Sequence, residues 1–260
     1  MELLPLLKKI PNIYSAKISL KKTLLVDCYQ QGLLALSRCD LCGLPCQHYL
    51  QLCDVCYDDL PLFKQSVVQG DLLNWPAVYQ HLPHIGFDQL ICLAPHGYPF
   101  DHWLGQYKYS KRFELAELFS HLLGDLLASL LQKEQLSKPE LMLAVPLHIS
   151  RWQGRGYNQA HILAQKLQKK LSSQYTIEYH PQLLARNKKI TAQVGKSGKQ
   201  RRENLAGAFS LTNEQPLPEH VMLIDDVVTT GATASEICYL LKQQGVKKVT
   251  LVTLTIALLK

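Results

Sequence analysis

Four short apolar runs punctuate the last two-thirds of the chain: LICLA at 90–94, LMLAVP at 141–146, VMLI at 221–224 and VTLVTL at 249–254. Each is nearly continuous rather than alternating, the pattern of a strand covered on both faces, as in a parallel sheet. Longer segments with apolar residues at helical spacing, 111–131, 158–171 and 232–242, lie among them. Strand and helix in alternation predict βαβ units, hence an α/β fold with a mainly parallel sheet flanked by helices. The pattern changes once, near Gly86, before which cysteines and short helical stretches dominate. We therefore expect an N-terminal segment at 1–86 and an α/β domain at 87–260.

The third run continues into DDVVTTGATA and delivers two adjacent carboxylates, Asp225 and Asp226, to what reads as the carboxyl end of a strand. Open α/β sheets bind ligands at that end. Between the acids and the next helix lie Val228, Thr229, Thr230, Gly231, Ala232 and Thr233, a small, hydroxyl-rich turn whose backbone N–H groups can close around a phosphate at a helix N-terminus. Carboxylates accept hydrogen bonds from sugar hydroxyls, so acids beside a phosphate cradle point to a phosphorylated ribose. GxxxxGK[ST] and GxGxxG are both absent, which excludes a Walker loop and a Rossmann fingerprint. The stretch resembles the motif with which type I phosphoribosyltransferases bind 5-phosphoribosyl 1-pyrophosphate (PRPP). That resemblance implies Asp225 and Asp226 as the catalytic pair.

Cations gather in two further places. Arg151, Arg155 and Gly156 follow the second run and precede a helix that begins near Asn158, where an arginine and glycine turn can hold pyrophosphate with guanidinium forks and N–H groups. From 186 to 202 the chain carries seven Lys/Arg and no acid, with two glycines and a serine among them. Arg186, Lys188, Lys196, Lys199, Arg201 and Arg202 thus mark a flexible loop, a solvated one if alone, but a lid if it stands beside a pyrophosphate site. The same cations could grip single-stranded nucleic acid, although this loop lacks the aromatic residues that stacking requires.

The cysteines carry a second signal. In RCDLCGLPCQHYLQLCDVC, Cys39-x2-Cys42 and Cys53-x2-Cys56 form two knuckles separated by ten residues, the spacing that wraps four thiolates around a structural Zn²⁺. Cys46 and His48 lie between them and are alternative ligands. Four closed ligands leave no open position, so such a metal holds a fold rather than performing hydrolysis. Cys28, Cys92 and Cys238 stand in apolar settings and read as buried thiols. With a net charge of +7 and a pI near 8.9 the chain favours anionic partners. No run of 18 apolar residues exists, and the charged N-terminus has too short an apolar stretch for a spanning helix or an ordinary signal peptide. A cytoplasmic location is expected.

The motifs occur together in one order: CDLCG, LCDVC and DLP, then YKYSKRFELA, VPLHISRWQGRGYNQA, RRENLAGAF and IDDVVTTGAT. This ordered set resembles the ComF/GntX family of phosphoribosyltransferase-like proteins, linked to DNA uptake in naturally competent bacteria. The resemblance covers nearly the whole chain from Cys39. It implies a Zn-binding N-terminal module, a PRPP-type fold and a role in handling incoming single-stranded DNA, with a translocase or helicase of the uptake machinery as partner. It also implies Mg²⁺ accompanying PRPP, with the ribose on Asp225 and Asp226, the 5′-phosphate on the threonine turn and the pyrophosphate near Arg155. Two functions stay open at this point: a DNA-handling protein that binds PRPP, and an active Mg-dependent phosphoribosyltransferase of nucleotide metabolism. Tyr107 and Lys108 either face the ligand or nucleic acid, or decorate a helix surface.

Overall fold

The computed structural model describes residues 38–46, 51–82, 85–147, 153–187, 205, 207–213 and 215–258. The chain divides into two compact units, Met1–Leu60 and Pro61–Lys260. In the first, the described elements are helix α1 (Asp54–Asp58) and an isolated bridge between Arg38 and Pro45.

The second unit runs α2 (Gln65–Val68), α3 (Pro76–His81), β1 (Gln89–Pro95), α4 (Phe100–Tyr109), α5 (Leu115–Gln132), β2 (Leu141–Ala144), α6 (Gln159–Leu171), β3 (Glu178–Tyr179), β4 (Leu184–Arg186), β5 (Phe209–Leu211), β6 (His220–Val228), α7 (Ala232–Gln243) and β7 (Lys248–Ile256). Five strands form one parallel sheet in the order β1-β7-β6-β2-β3, and β4 with β5 makes a separate antiparallel ribbon. This is the mainly parallel, helix-flanked sheet that the apolar runs predict. Its strands alternate their side chains between faces. Leu90, Leu143, Leu223 and Leu251 pack with Ile237 and Leu241 of α7 on one side, whereas α5 and α6 lie against β1, β2 and β6 through the other.

Three boundaries differ from the sequence reading, each for a local reason. Residues 61–86 join the second unit because Val68, Leu72, Val78 and Leu82 share its core with Leu90 and Leu223. The helix expected over 111–131 begins only at Leu115, since Lys111 takes a left-handed φ of 57° that interrupts the preceding helix α4. Strand β6 does not end at the acids: it pairs with β7 as far as Val228, with Asp225 in register with Thr253.

The crossover after β2 runs to β3 on one side, and the crossover after β6 runs to β7 on the other. The crevice between the carboxyl ends of β2 and β6 is therefore the topological switch point, where open α/β sheets place their ligands. Both the Asp225–Thr233 segment and the Arg155 turn leave the sheet there.

Candidate functional site

In the Met1–Leu60 unit the four cysteines converge. The Sγ atoms of Cys39, Cys42, Cys53 and Cys56 all lie within 4.8 Å of one another, and those of Cys42 and Cys53 are 3.8 Å apart. The first knuckle is a tight turn in which Gly43 N–H donates to Cys39 O at 2.9 Å and Cys39 N–H to Leu44 O at 2.8 Å, with Gly43 at φ 72°. Burial opposes ionisation of the Cys39 thiol, but backbone N–H groups of Cys42, Cys53 and Leu41 outweigh it and bring its pKa down to about 6. Burial and the neighbouring thiols instead push Cys56 up. One thiolate surrounded by donors and others that resist ionising beside it are what a bound divalent cation resolves, so the donor set fits Zn²⁺. Cys46 is buried but is not one of the four that come together; His48 lies outside the described residues.

In the Pro61–Lys260 unit the threonine turn closes over a cavity of about 60 Å³ lined by Asp225, Val227, Thr229, Thr230, Gly231, Ala232 and Thr233. That is room for roughly two waters, hence for one small tetrahedral anion. Gly231 is the N-cap of α7, with φ 69° and no side chain capping the helix, so the first N–H groups of a twelve-residue helix remain available to an anion. The glycine is required twice over: its φ is left-handed, and a Cβ there would stand 3.3 Å from the ring of Phe87. Val228 puts its side chain into the core and leaves only its backbone to the cradle.

The acids occupy successive positions on β6 and so diverge to opposite faces. Asp225 accepts the backbone N–H of Asp226 at 2.8 Å. Burial, and then the charge of Asp226, push its carboxyl up to about 8. Asp226 turns toward α4 and pairs with Lys108, Nζ to Oδ2 2.7 Å. The phenols of Tyr107 and Tyr157 are raised by burial first and by the nearby Asp226 charge as well, which places both beside that carboxylate.

Lys108 is the residue beside Asp226 whose placement sequence reasoning left open. The legible signal was the helical stripe Phe100, Trp103, Leu104 and Tyr107, which is fully buried; Lys108, four residues after Leu104, sits at the margin of that stripe and is carried to the sheet end. Tyr107 donates to Gln159 O at 3.2 Å and stacks edgewise on Phe119. Of the two carboxylates that could help hold a Mg²⁺ carried in by a phosphate ligand, Asp226 is paired with Lys108.

Arg155 reaches the same end of the sheet but is already engaged. Its guanidinium donates to Gln159 Oε1 at 3.1 Å and to Tyr109 Oη at 3.0 Å, and lies 4.9 Å from the Tyr109 ring centroid. Tyr109 is exposed, and so is Phe113, which packs on Tyr157. Arg151 lies outside the described residues, as do Lys188, Lys196, Lys199, Arg201 and Arg202. Arg186 belongs to strand β4 rather than to a flexible loop, and its guanidinium sits 5.4 Å from the Phe209 ring in the paired strand β5. The ribbon pairs residues 184–186 with 209–211, and Gly207 N–H donates to Glu236 Oε1 of α7 at 2.8 Å. Cys92 and Cys238 are buried thiols as expected, the former pushed up to about 12 by burial. Among the described residues no helix is long and apolar enough to cross a membrane.

No family model matches the chain. Among individual proteins, it is 31% identical over 224 residues to Competence protein F of Haemophilus influenzae, covering 85% of each chain. It is 32% identical over 216 residues to the DNA utilization protein YhgH of Escherichia coli O157:H7, covering 80% of this chain and 91% of that one. A solved hypoxanthine phosphoribosyltransferase of Staphylococcus aureus aligns with 53% of this chain and 62% of its own at 17% identity, with a TM-score of 0.32. With full-length relatives at this level and the ordered motifs spread across both units, the chain belongs to the ComF/GntX family of competence and DNA utilization proteins.

Proposed function

We propose that the Pro61–Lys260 unit binds PRPP or a related ribose phosphate, and that the protein uses this site while handling incoming single-stranded DNA. The observation that carries the reading is the uncapped N-terminus of α7 at Gly231, opening on a small cavity that Asp225 also lines. A 5′-phosphate on the N–H groups of the 229–233 turn puts the sugar hydroxyls over the ends of β6, where the carboxylates accept or share their protons. Gly231→Val is the sharp test. The branched side chain is strained at φ 69° and runs into Phe87, so stability falls by about 1–3 kcal/mol and affinity for PRPP, measured by calorimetry, drops by at least roughly a hundredfold. Undiminished affinity in a folded Gly231→Val protein would place the phosphate elsewhere.

DNA handling comes from the relatives' names, Competence protein F and DNA utilization protein YhgH, and a surface feature supports it. Tyr109, 73% exposed, lies against the Arg155 guanidinium, and Phe113, 45% exposed, packs on Tyr157, two residues further along the chain. Aromatic rings next to a cation are a stacking platform for unpaired bases. These are the rings that the basic 186–202 segment lacks. We expect Tyr109→Ala with Phe113→Ala to weaken single-stranded oligonucleotide binding by about ten- to a hundredfold at fixed salt, with the salt dependence retained, because stacking is removed and phosphate contacts are not. Fluorescence anisotropy across a salt series measures both quantities; a collapsed salt slope with unchanged affinity at low salt would sink the platform. The uptake machinery, such as a translocase or helicase, is the partner class that fits this role.

A further inference from the structure

A divalent cation that used Asp226 at this sugar site would have to compete with Lys108 for it. Asp226 Oδ2 and Lys108 Nζ are 2.7 Å apart, and the two side chains keep only 14% and 19% of their surface open to solvent. Lys108 does not arrive there on a loose tether. Helix α4 is fixed by the fully buried Phe100, Trp103 and Tyr107, and the Tyr107 hydroxyl ties it to Gln159 at the start of α6. The second carboxylate has one oxygen engaged as well, since Asp225 Oδ1 accepts the Asp226 N–H. Mg²⁺ asks for near-octahedral oxygen ligands at about 2.0–2.1 Å and gives up water reluctantly. To use Asp226 it would have to break a largely enclosed ion pair and settle beside the displaced ammonium, where like charges repel.

We propose that Lys108 is the resident cation of the ribose-phosphate site, so that the site takes a sugar phosphate without a divalent metal. This rests on the ribose-phosphate reading of the 225–233 segment. An ammonium has three donors. One is spent on Asp226, and the others are left for the hydroxyl or phosphate oxygens of the ligand, so a single side chain orients the carboxylate and offsets ligand charge. The ligand class that matches a fixed ammonium beside a carboxylate is a sugar monophosphate, with ribose 5-phosphate as its simplest member.

The test titrates the full-length, zinc-loaded protein with ribose 5-phosphate in a calorimeter, once in buffer freed of divalent ions and once with millimolar MgCl₂. The buffer is cleared over a chelating resin before the protein is added, so the cysteine-bound metal is not stripped. Dissociation constants within about threefold of each other are expected for the wild type. Lys108→Met should weaken metal-free binding by at least about tenfold, and Lys108→Arg should retain most of it. Because Lys108→Met strands a carboxylate, Lys108→Met/Asp226→Asn serves as the charge-balanced partner whose far-ultraviolet circular dichroism shows that the fold survives; it too should bind weakly. Wild-type binding that appears only with Mg²⁺, or metal-free binding unchanged in Lys108→Met, overturns the assignment while leaving the ribose-phosphate reading standing. Absence of binding under both conditions overturns that reading and this inference with it.

Discussion

Cys53→Ser is expected to yield a protein without its metal and without a folded Met1–Leu60 unit. Among its described residues that unit has little apolar core of its own. Helix α1 buries no residue at all, and the buried apolar side chains of the described segment besides its cysteines are Leu52 and Leu60. Two leucines contribute on the order of 3–6 kcal/mol of burial, well short of the ordering cost of some twenty residues at about 1–2 kcal/mol each. A bound metal supplies a large share of what is missing, since zinc-finger peptides gain roughly 10–16 kcal/mol of apparent binding energy. The geometry is right for it: Zn–S bonds of about 2.3 Å in a tetrahedron put sulfurs about 3.8 Å apart, and the Cys42 and Cys53 sulfurs are 3.8 Å apart. Elemental analysis should find about one zinc per wild-type chain and less than about a tenth of that in Cys53→Ser, with 38–60 newly open to limited proteolysis. Cys46→Ser should keep its full equivalent, because Cys46 stands apart from the four-sulfur cluster. A Cys53→Ser protein that retained one equivalent of zinc would remove Cys53 from the ligand set.

What the sequence disclosed and what it concealed divide along local and non-local lines. The strands were legible because residues such as Leu90–Cys92 or Val221–Ile224 must be apolar on both faces to be covered twice, and periodicity records that without knowledge of the partner strand. The cysteine cluster and the threonine turn were legible for a similar reason, since spacing along the chain fixes most of their geometry. Lys108 was different. It stands more than a hundred residues before Asp226, and the apolar stripe Phe100 to Tyr107 marks a packed helix without saying which strand end its ammonium reaches. The diverging directions of Asp225 and Asp226 are implicit in strand period, but only once β6 is known to continue past them to Val228. Arg186 erred the other way: its neighbours in sequence are basic and loop-like, while its own position is decided by the ribbon partner Phe209.

The proton on Asp225 makes the second large effect, and it shows in stability as a function of pH. In the unfolded chain an aspartate titrates near 3.9, whereas burial and the charge of Asp226 raise Asp225 to about 8 in the folded one. Between about pH 4 and pH 8 the native state therefore keeps a proton that the unfolded state has released, so stability falls as pH rises across that window and levels off above it. A difference of that size between the folded and unfolded carboxyl corresponds to at most about 5–6 kcal/mol, and partial access of solvent to the side chain reduces the expected loss to roughly 2–3 kcal/mol. Asp225→Asn cannot ionise and escapes the penalty. Its urea midpoint should match the wild type near pH 4 to 5 and exceed it progressively up to about pH 8, after which the gap stays constant. Other groups titrate in both proteins and cancel in the difference. Parallel stability curves from pH 5 to pH 9 would show that Asp225 is ionised throughout, so that both carboxylates are negative beside the Lys108 ammonium. Convergence at low pH with separation at high pH instead means that Asp225 is held protonated in the native state and presents a donor on its face of β6, while Asp226, on the other face, stays an acceptor paired with Lys108.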